Sequence, residues 1–153
     1  MRAILIAAAA LFGCTQHSPP VLAKVEDGNL VFDVQSIGKL GRDCITRVAV
    51  FVEDSGFLAR PETGDDRQAV EHGDYWRVVR ASEGQCIGRL PLRYGSRLKG
   101  SIIVKAKPLR AGTTYTVALA EGPTGYRMGR FRITPEKRVE NVLEAPVRTP
   151  DAQ

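Results

Sequence analysis

Seven short segments of alternating hydrophobicity predict an all-β antiparallel fold of about seven strands, a sandwich or a barrel. Turn residues separate those segments at short intervals, and no amphipathic helix of ordinary length interrupts them. A strand buried on one face repeats every two residues, because successive side chains point to opposite faces. The chain has 153 residues, 43% of them hydrophobic, which is enough for one core and one domain. That domain is assigned to residues 29–134.

The first element spans 29–37, where Leu30, Phe32 and Val34 alternate with Asn29, Asp33 and Gln35. A loop over 38–43 leads to 45–53. There Val48, Val50 and Val52 share one face and Ala49 and Phe51 the other, so a central strand covered on both faces is expected. In 75–81, Trp76 and Val78 oppose Arg77. In 87–94, Leu90, Leu92 and Tyr94 alternate with Arg89, Pro91 and Arg93, and Pro91 demotes this segment to an edge strand or a bulge. Residues 101–109 should point Ile102, Val104 and Ala106 inward and Lys105 and Lys107 outward. Residues 113–121 bury Tyr115, Val117 and Leu119. Gly122-Pro123-Thr124-Gly125 has hairpin composition and leads to 126–134, with Phe131 and Ile133 inward and Arg130 and Arg132 outward. From Pro135 the pattern fades, and 135–153 reads as a flexible tail.

The N-terminal residues follow another logic. Arg2 precedes an uncharged, mostly apolar run over 3–12, and Gly13-Cys14 follows. That run is too short to cross a bilayer, which needs about 20 apolar residues. It has the charged start, apolar core and small residue of an export signal. Leu11-Phe12-Gly13-Cys14 resembles a bacterial lipobox. The resemblance implies a signal peptide over 1–13, cleavage before Cys14, a diacylglycerol on its thiol and an acyl chain, such as palmitate, on its amine. An ordinary secretory signal, with Cys14 incidental, is the alternative. Thr15 is not the Asp that retains many lipoproteins of Gram-negative bacteria at the inner membrane, so in such a cell the outer membrane, on its periplasmic or surface face, is the favoured location. Residues 14–28, with Ser18-Pro19-Pro20, read as the acylated cysteine and a short tether.

With Cys14 set aside, Cys44 and Cys86 form an even pair, and in an oxidising compartment a disulfide is expected. Closing a loop of about 40 residues would stabilise by about 4 kcal/mol in the chain-entropy view. Two buried free thiols are the other reading. Neither cysteine belongs to a Cys-x-x-Cys pair, so nothing points to redox catalysis.

Leu109-Arg110-Ala111-Gly112-Thr113-Thr114-Tyr115 resembles the tyrosine corner of fibronectin type III and other immunoglobulin-like domains. The resemblance implies an immunoglobulin-like sandwich in which the Tyr115 hydroxyl bonds back to the corner backbone. Ala111 stands where many such domains have proline.

Chemistry is sparsely signalled. His17 lies in the tether and His72 in a loop, beside Glu71 and Asp74. Ser55, Ser82, Ser96 and Ser101 lie outside any Gly-x-Ser-x-Gly elbow. One usable histidine and a paired set of cysteines do not make a zinc site. Asp65-Asp66 lacks the spacing of a calcium loop. No metal or cofactor is expected, and a non-catalytic role is favoured. The net charge of +5 is mild and does not point to nucleic acid.

Two charge groupings remain. Between Glu53 and Asp74 there are seven acids and two bases, in a long loop over 54–73. Between Arg77 and Arg110 there are nine bases and one acid, Glu83. Arg89, Arg93, Arg97, Lys99, Lys105 and Lys107 are the candidate patch for an anionic partner: lipid headgroups, lipopolysaccharide or an acidic envelope protein. A solvated face that discourages edge pairing is the plainer reading. The functional expectation is therefore a membrane-anchored envelope lipoprotein with a binding or assembly domain. An enzyme with its site in the 54–73 loop and a purely structural surface protein are the alternatives.

Overall fold

The computed structural model describes residues 19–34, 44–52, 73–122 and 125–143. Within them are nine strands and no helix: β1 (Val21–Glu26), β2 (Asn29–Val34), β3 (Ile45–Val52), β4 (Asp74–Val79), β5 (Leu92–Arg93), β6 (Ser101–Val104), β7 (Thr114–Glu121), β8 (Gly125–Ile133) and β9 (Val139–Asn141). They form two antiparallel sheets, ordered β1-β2-β5 and β6-β4-β3-β7-β8-β9. Of the sandwich and the barrel that alternation allows, the sandwich is the observed architecture.

The core fills the space between the sheets. Val21, Ala23, Phe32 and Leu92 from the small sheet meet Val48, Val50, Trp76, Val78, Tyr115, Val117, Leu119 and Phe131 from the large one. Phe32 and Phe131 have ring centroids 5.5 Å apart across the gap. Burying such side chains contributes about 1.5–3 kcal/mol each, which is why their spacing dictates which face turns inward. β3 lies between β4 and β7 and is buried on both faces: Ala49 and Phe51 form a second cluster with Ala118 on the face away from the small sheet.

Two segments differ from expectation. Residues 21–26, assigned to the tether, are β1, paired with β2 from Val21↔Val34 to Glu26↔Asn29. Asp27 (φ 49°) and Gly28 (φ 74°) make the turn, the left-handed pair that a two-residue hairpin requires. The Asp-Gly dipeptide between Val21, Ala23, Val25 and Leu30, Phe32, Val34 is the signal that marks this hairpin. In the segment assigned to the flexible tail, 139–141 is β9, paired with β8. Three residues are too few to show alternation. The turn before β9 is closed by the Lys137 amide donating to the Thr134 carbonyl (2.9 Å) and the Arg138 amide donating to the Thr134 hydroxyl (3.1 Å).

β1 and β9 also join the two sheets. The Asn141 side-chain amide donates to the Ala23 carbonyl (2.9 Å), and its oxygen accepts from the Ala23 amide (2.7 Å). A primary amide has the donor and acceptor of a peptide unit, so one side chain completes a strand-like pair.

The expected strand over 87–94 is divided. Gly88 bridges Ile45, at the end of the large sheet, whereas Leu92 pairs with Phe32 in the small sheet. Pro91, with no N–H to offer a ladder, sits where the chain crosses, and β5 is an edge strand of two residues. β6 also departs. Val104 is buried, but Ile102 is 50% exposed and Ala106 is exposed. The pairing with β4 shifts between Arg77↔Val104 and Val78↔Ile102, and that bulge breaks the alternation.

The tyrosine corner is formed. The Arg110 amide donates to the Tyr115 hydroxyl (2.8 Å), and Tyr115 has no exposed surface. Burial raises the Tyr115 pKa above the ordinary phenol value.

Candidate functional site: the basic wall and the disulfide end

Cys44 and Cys86 are joined, with Cα atoms 5.0 Å apart. The bond sits beside a backbone ladder at one end of the sandwich. The Ile87 amide donates to the Ile45 carbonyl (2.7 Å), the Ile45 amide to Gly88 (3.1 Å) and the Lys99 amide to Ile87 (2.9 Å). The Arg80 amide donates to the Thr46 carbonyl (2.9 Å), and the Gly122 amide to Cys44 (3.0 Å). The disulfide therefore fastens the backbone that carries Arg80, Arg89 and Lys99.

The remaining bases lie along a side wall between β5 and β6. From Leu92 the chain descends beside β2, the Tyr94 amide donating to Leu30 (2.9 Å), and turns at Gly95 (φ 70°). A Cβ at Gly95 would stand 3.0 Å from that of Ala106, so this turn lies against the segment that follows β6. The Tyr94 hydroxyl fixes the contact by donating to the Lys107 carbonyl (2.8 Å), with the Tyr75 carbonyl 3.2 Å away. Burial pushes the Tyr94 hydroxyl well above the usual tyrosine range.

The six bases of the expected patch are all exposed, but they are not one cluster. Arg89 and Lys99 belong to the disulfide end. Arg93, Arg97 and Lys105 lie along the wall. Lys107 is a fastener: its ammonium donates to the Asp74 carbonyl (2.7 Å) and lies 5.7 Å from the centre of the Tyr75 ring. No Asp or Glu occurs from 84 to 120. Arg89, Arg93, Arg97, Lys99 and Lys105 have no ion pair with a described residue. Among the described residues, the wall and the end are thus positive, with Glu83 the one exposed acid between 80 and 120. Arg80 was outside the expected patch. Its signal was present in the run of nine bases, but only the β3–β4 pairing brings it to Thr46.

Two carboxylates are buried. Asp74 Oδ2 accepts from Arg77 Nε at 2.5 Å, and Glu121 Oε2 accepts from Arg127 Nε at 2.8 Å. Among the described residues, the second oxygen of each has no hydrogen-bond partner. Among the described residues no group of three His, Cys, Asp or Glu side chains is placed to hold a metal ion. Cys14, both histidines and residues 54–72 of the acidic loop lie outside the described residues.

No protein-family model matches the chain, and no curated protein or solved structure matches it significantly.

Proposed function

We propose that this protein is a lipoprotein of the bacterial cell envelope, anchored through Cys14, whose immunoglobulin-like domain is a non-catalytic binding module for an anionic partner. The Cys44–Cys86 disulfide is the observation that carries the location. It takes two of the three cysteines, suits an oxidising compartment, and leaves the third at the end of the N-terminal apolar run. Two or three acyl chains there would hold the chain on a membrane, because each buried CH2 contributes about 0.8 kcal/mol. The Tyr115 corner and the β3-β7-β8 order support the kinship with immunoglobulin-like domains. This chain elaborates that plan with β6 beside β4 and β9 beside β8. The wall of Arg93, Arg97 and Lys105 supports the partner's sign, since exposed charge of one sign raises encounter rates with an opposite charge and selects against like-charged surfaces.

The test has two arms. Cys14→Ala should abolish lipid labelling and release the protein from membranes; unchanged membrane retention would remove the anchor. Crosslinking in intact envelopes, followed by recovery of the protein, should give an adduct that Arg93→Gln, Arg97→Gln and Lys105→Gln together remove. An adduct indifferent to those changes would place the partner elsewhere.

A further inference from the structure

The direction of β1 shows which end of the domain faces an N-terminal anchor. Val21 lies against Gly129, whose missing Cβ leaves room for the Val21 carbonyl. Two residues on, Ala23 is held by Asn141, which pairs with Phe131. β1 therefore runs alongside β8 in the same direction. The chain before Val21 leaves toward the start of β8, the end where β7 and β8 join. Gly122 at that end is bonded to Cys44. The N-terminal chain, the β7–β8 connection and the disulfide thus share one end.

That end is suited to a lipid surface. Arg80, Arg89 and Lys99 are exposed there on backbone fastened by the ladder beside the disulfide. The one exposed acid among residues 80–99 is Glu83. The buried Glu121 carboxylate is already paired with Arg127. Tyr126, at the start of β8, is 50% exposed, and tyrosine suits an interface with one apolar side and one wet side. Cys14 is seven residues before Val21, a reach of about 25 Å at full extension. An anchor on so short a lead keeps this end near the headgroups.

We infer that the disulfide end, through Arg80, Arg89 and Lys99, rests on anionic lipid headgroups of the membrane that anchors the chain. The inference rests on the anchored reading proposed above. It leaves Arg93, Arg97 and Lys105 on the side wall, open to a partner. The disulfide gains a role beyond stability: it keeps three cations on one rigid edge. Each Lys or Arg near an anionic surface contributes about 1 kcal/mol, or about fivefold in binding, so three give about a hundredfold.

The test is a lysine-acetylation footprint of the full chain, purified from its host and mixed with vesicles of pure phosphatidylcholine or of phosphatidylcholine with phosphatidylglycerol. Intact mass reports separately whether Cys14 carries acyl chains. Lys99 should be labelled several-fold more slowly on the phosphatidylglycerol vesicles, with Lys105 and Lys137 unchanged, and high salt should restore its rate. In the same mixtures, Arg80→Gln, Arg89→Gln and Lys99→Gln together should weaken association of the unacylated Cys14→Ser chain about a hundredfold. Equal Lys99 labelling on the two vesicle types would overturn the inference. So would protection of Lys105 in its place. Lys99 protection without acyl chains would refute the anchor and keep the lipid-facing end; acyl chains without Lys99 protection would do the reverse.

Discussion

A methyl group at Gly129 would land on the backbone of β1. The added Cβ would lie 1.8 Å from the Val21 carbonyl oxygen, 2.7 Å from its carbon and 3.1 Å from the Val21 Cβ. A relaxed carbon–oxygen contact is about 3.3 Å, so the strands must separate by about 1.5 Å. The nearest atoms are backbone, so no rotamer change relieves the clash. Overfilling a packed interior costs about 1–3 kcal/mol. The same separation stretches both hydrogen bonds between Asn141 and Ala23, worth about 0.5–1.5 kcal/mol each. Against this, replacing glycine by alanine restricts the unfolded chain and returns about 0.4–1 kcal/mol. The net expectation for Gly129→Ala is a loss of about 1–5 kcal/mol, the upper end requiring both hydrogen bonds to be lost outright. Urea unfolding followed by fluorescence of Trp76, the single tryptophan, measures it. Hydrogen exchange adds a local readout, since the Ala23 amide should lose protection when Asn141 is pulled away. Asn141→Ala should cause the same local loss with no steric term. A Gly129→Ala protein as stable as the parent, with Ala23 still protected, would mean that β1 does not lie on β8 and that the N-terminal chain need not leave at the disulfide end.

Three further outcomes follow from single groups. Tyr115→Phe should destabilise by about 0.5–1.5 kcal/mol, read from the unfolding midpoint, because the Arg110 amide loses its acceptor. Replacing Cys44 and Cys86 together by serine should cost about 2–4 kcal/mol, and nonreducing peptide mapping of the parent should return the linked pair. Stability should fall as pH rises above the ordinary tyrosine pKa of 10.0, because Tyr94 is held neutral in the fold and ionises more readily in the unfolded chain. That contribution is complete below the unfolded value and is lost above it. Alkaline unfolding of Tyr94→Phe should have a shallower slope, and an equal slope would deny the burial of that hydroxyl.

Much of the sandwich was legible in the residues because period two is a local signal. Val48, Val50, Tyr115, Val117, Leu119, Phe131 and Ile133 face inward as their alternation predicts. The disulfide was legible too, from the parity of the cysteines once Cys14 is set apart. β1 was hidden by the Pro19-Pro20 start, though Asp27-Gly28 marked its turn. β9 was too short to read. Ile102 misled because a bulge is a property of two strands, and neither strand's residues announce it.

Amino-acid order alone determined the class of fold, the paired cysteines, the Tyr115 corner and the excess of positive charge between 77 and 110. Each depends on neighbours within a few residues or on a count. Tertiary structure decided where that charge goes. It sent Arg89 and Lys99 to the disulfide end beside Arg80, left Arg93, Arg97 and Lys105 on the wall, and used Lys107 to fasten Asp74 and Tyr75. It also used Asn141 to close β1 against β9. The reason is physical: those placements arise from hydrogen bonds and contacts between segments far apart in the chain, and no local periodicity encodes which distant segment will be met.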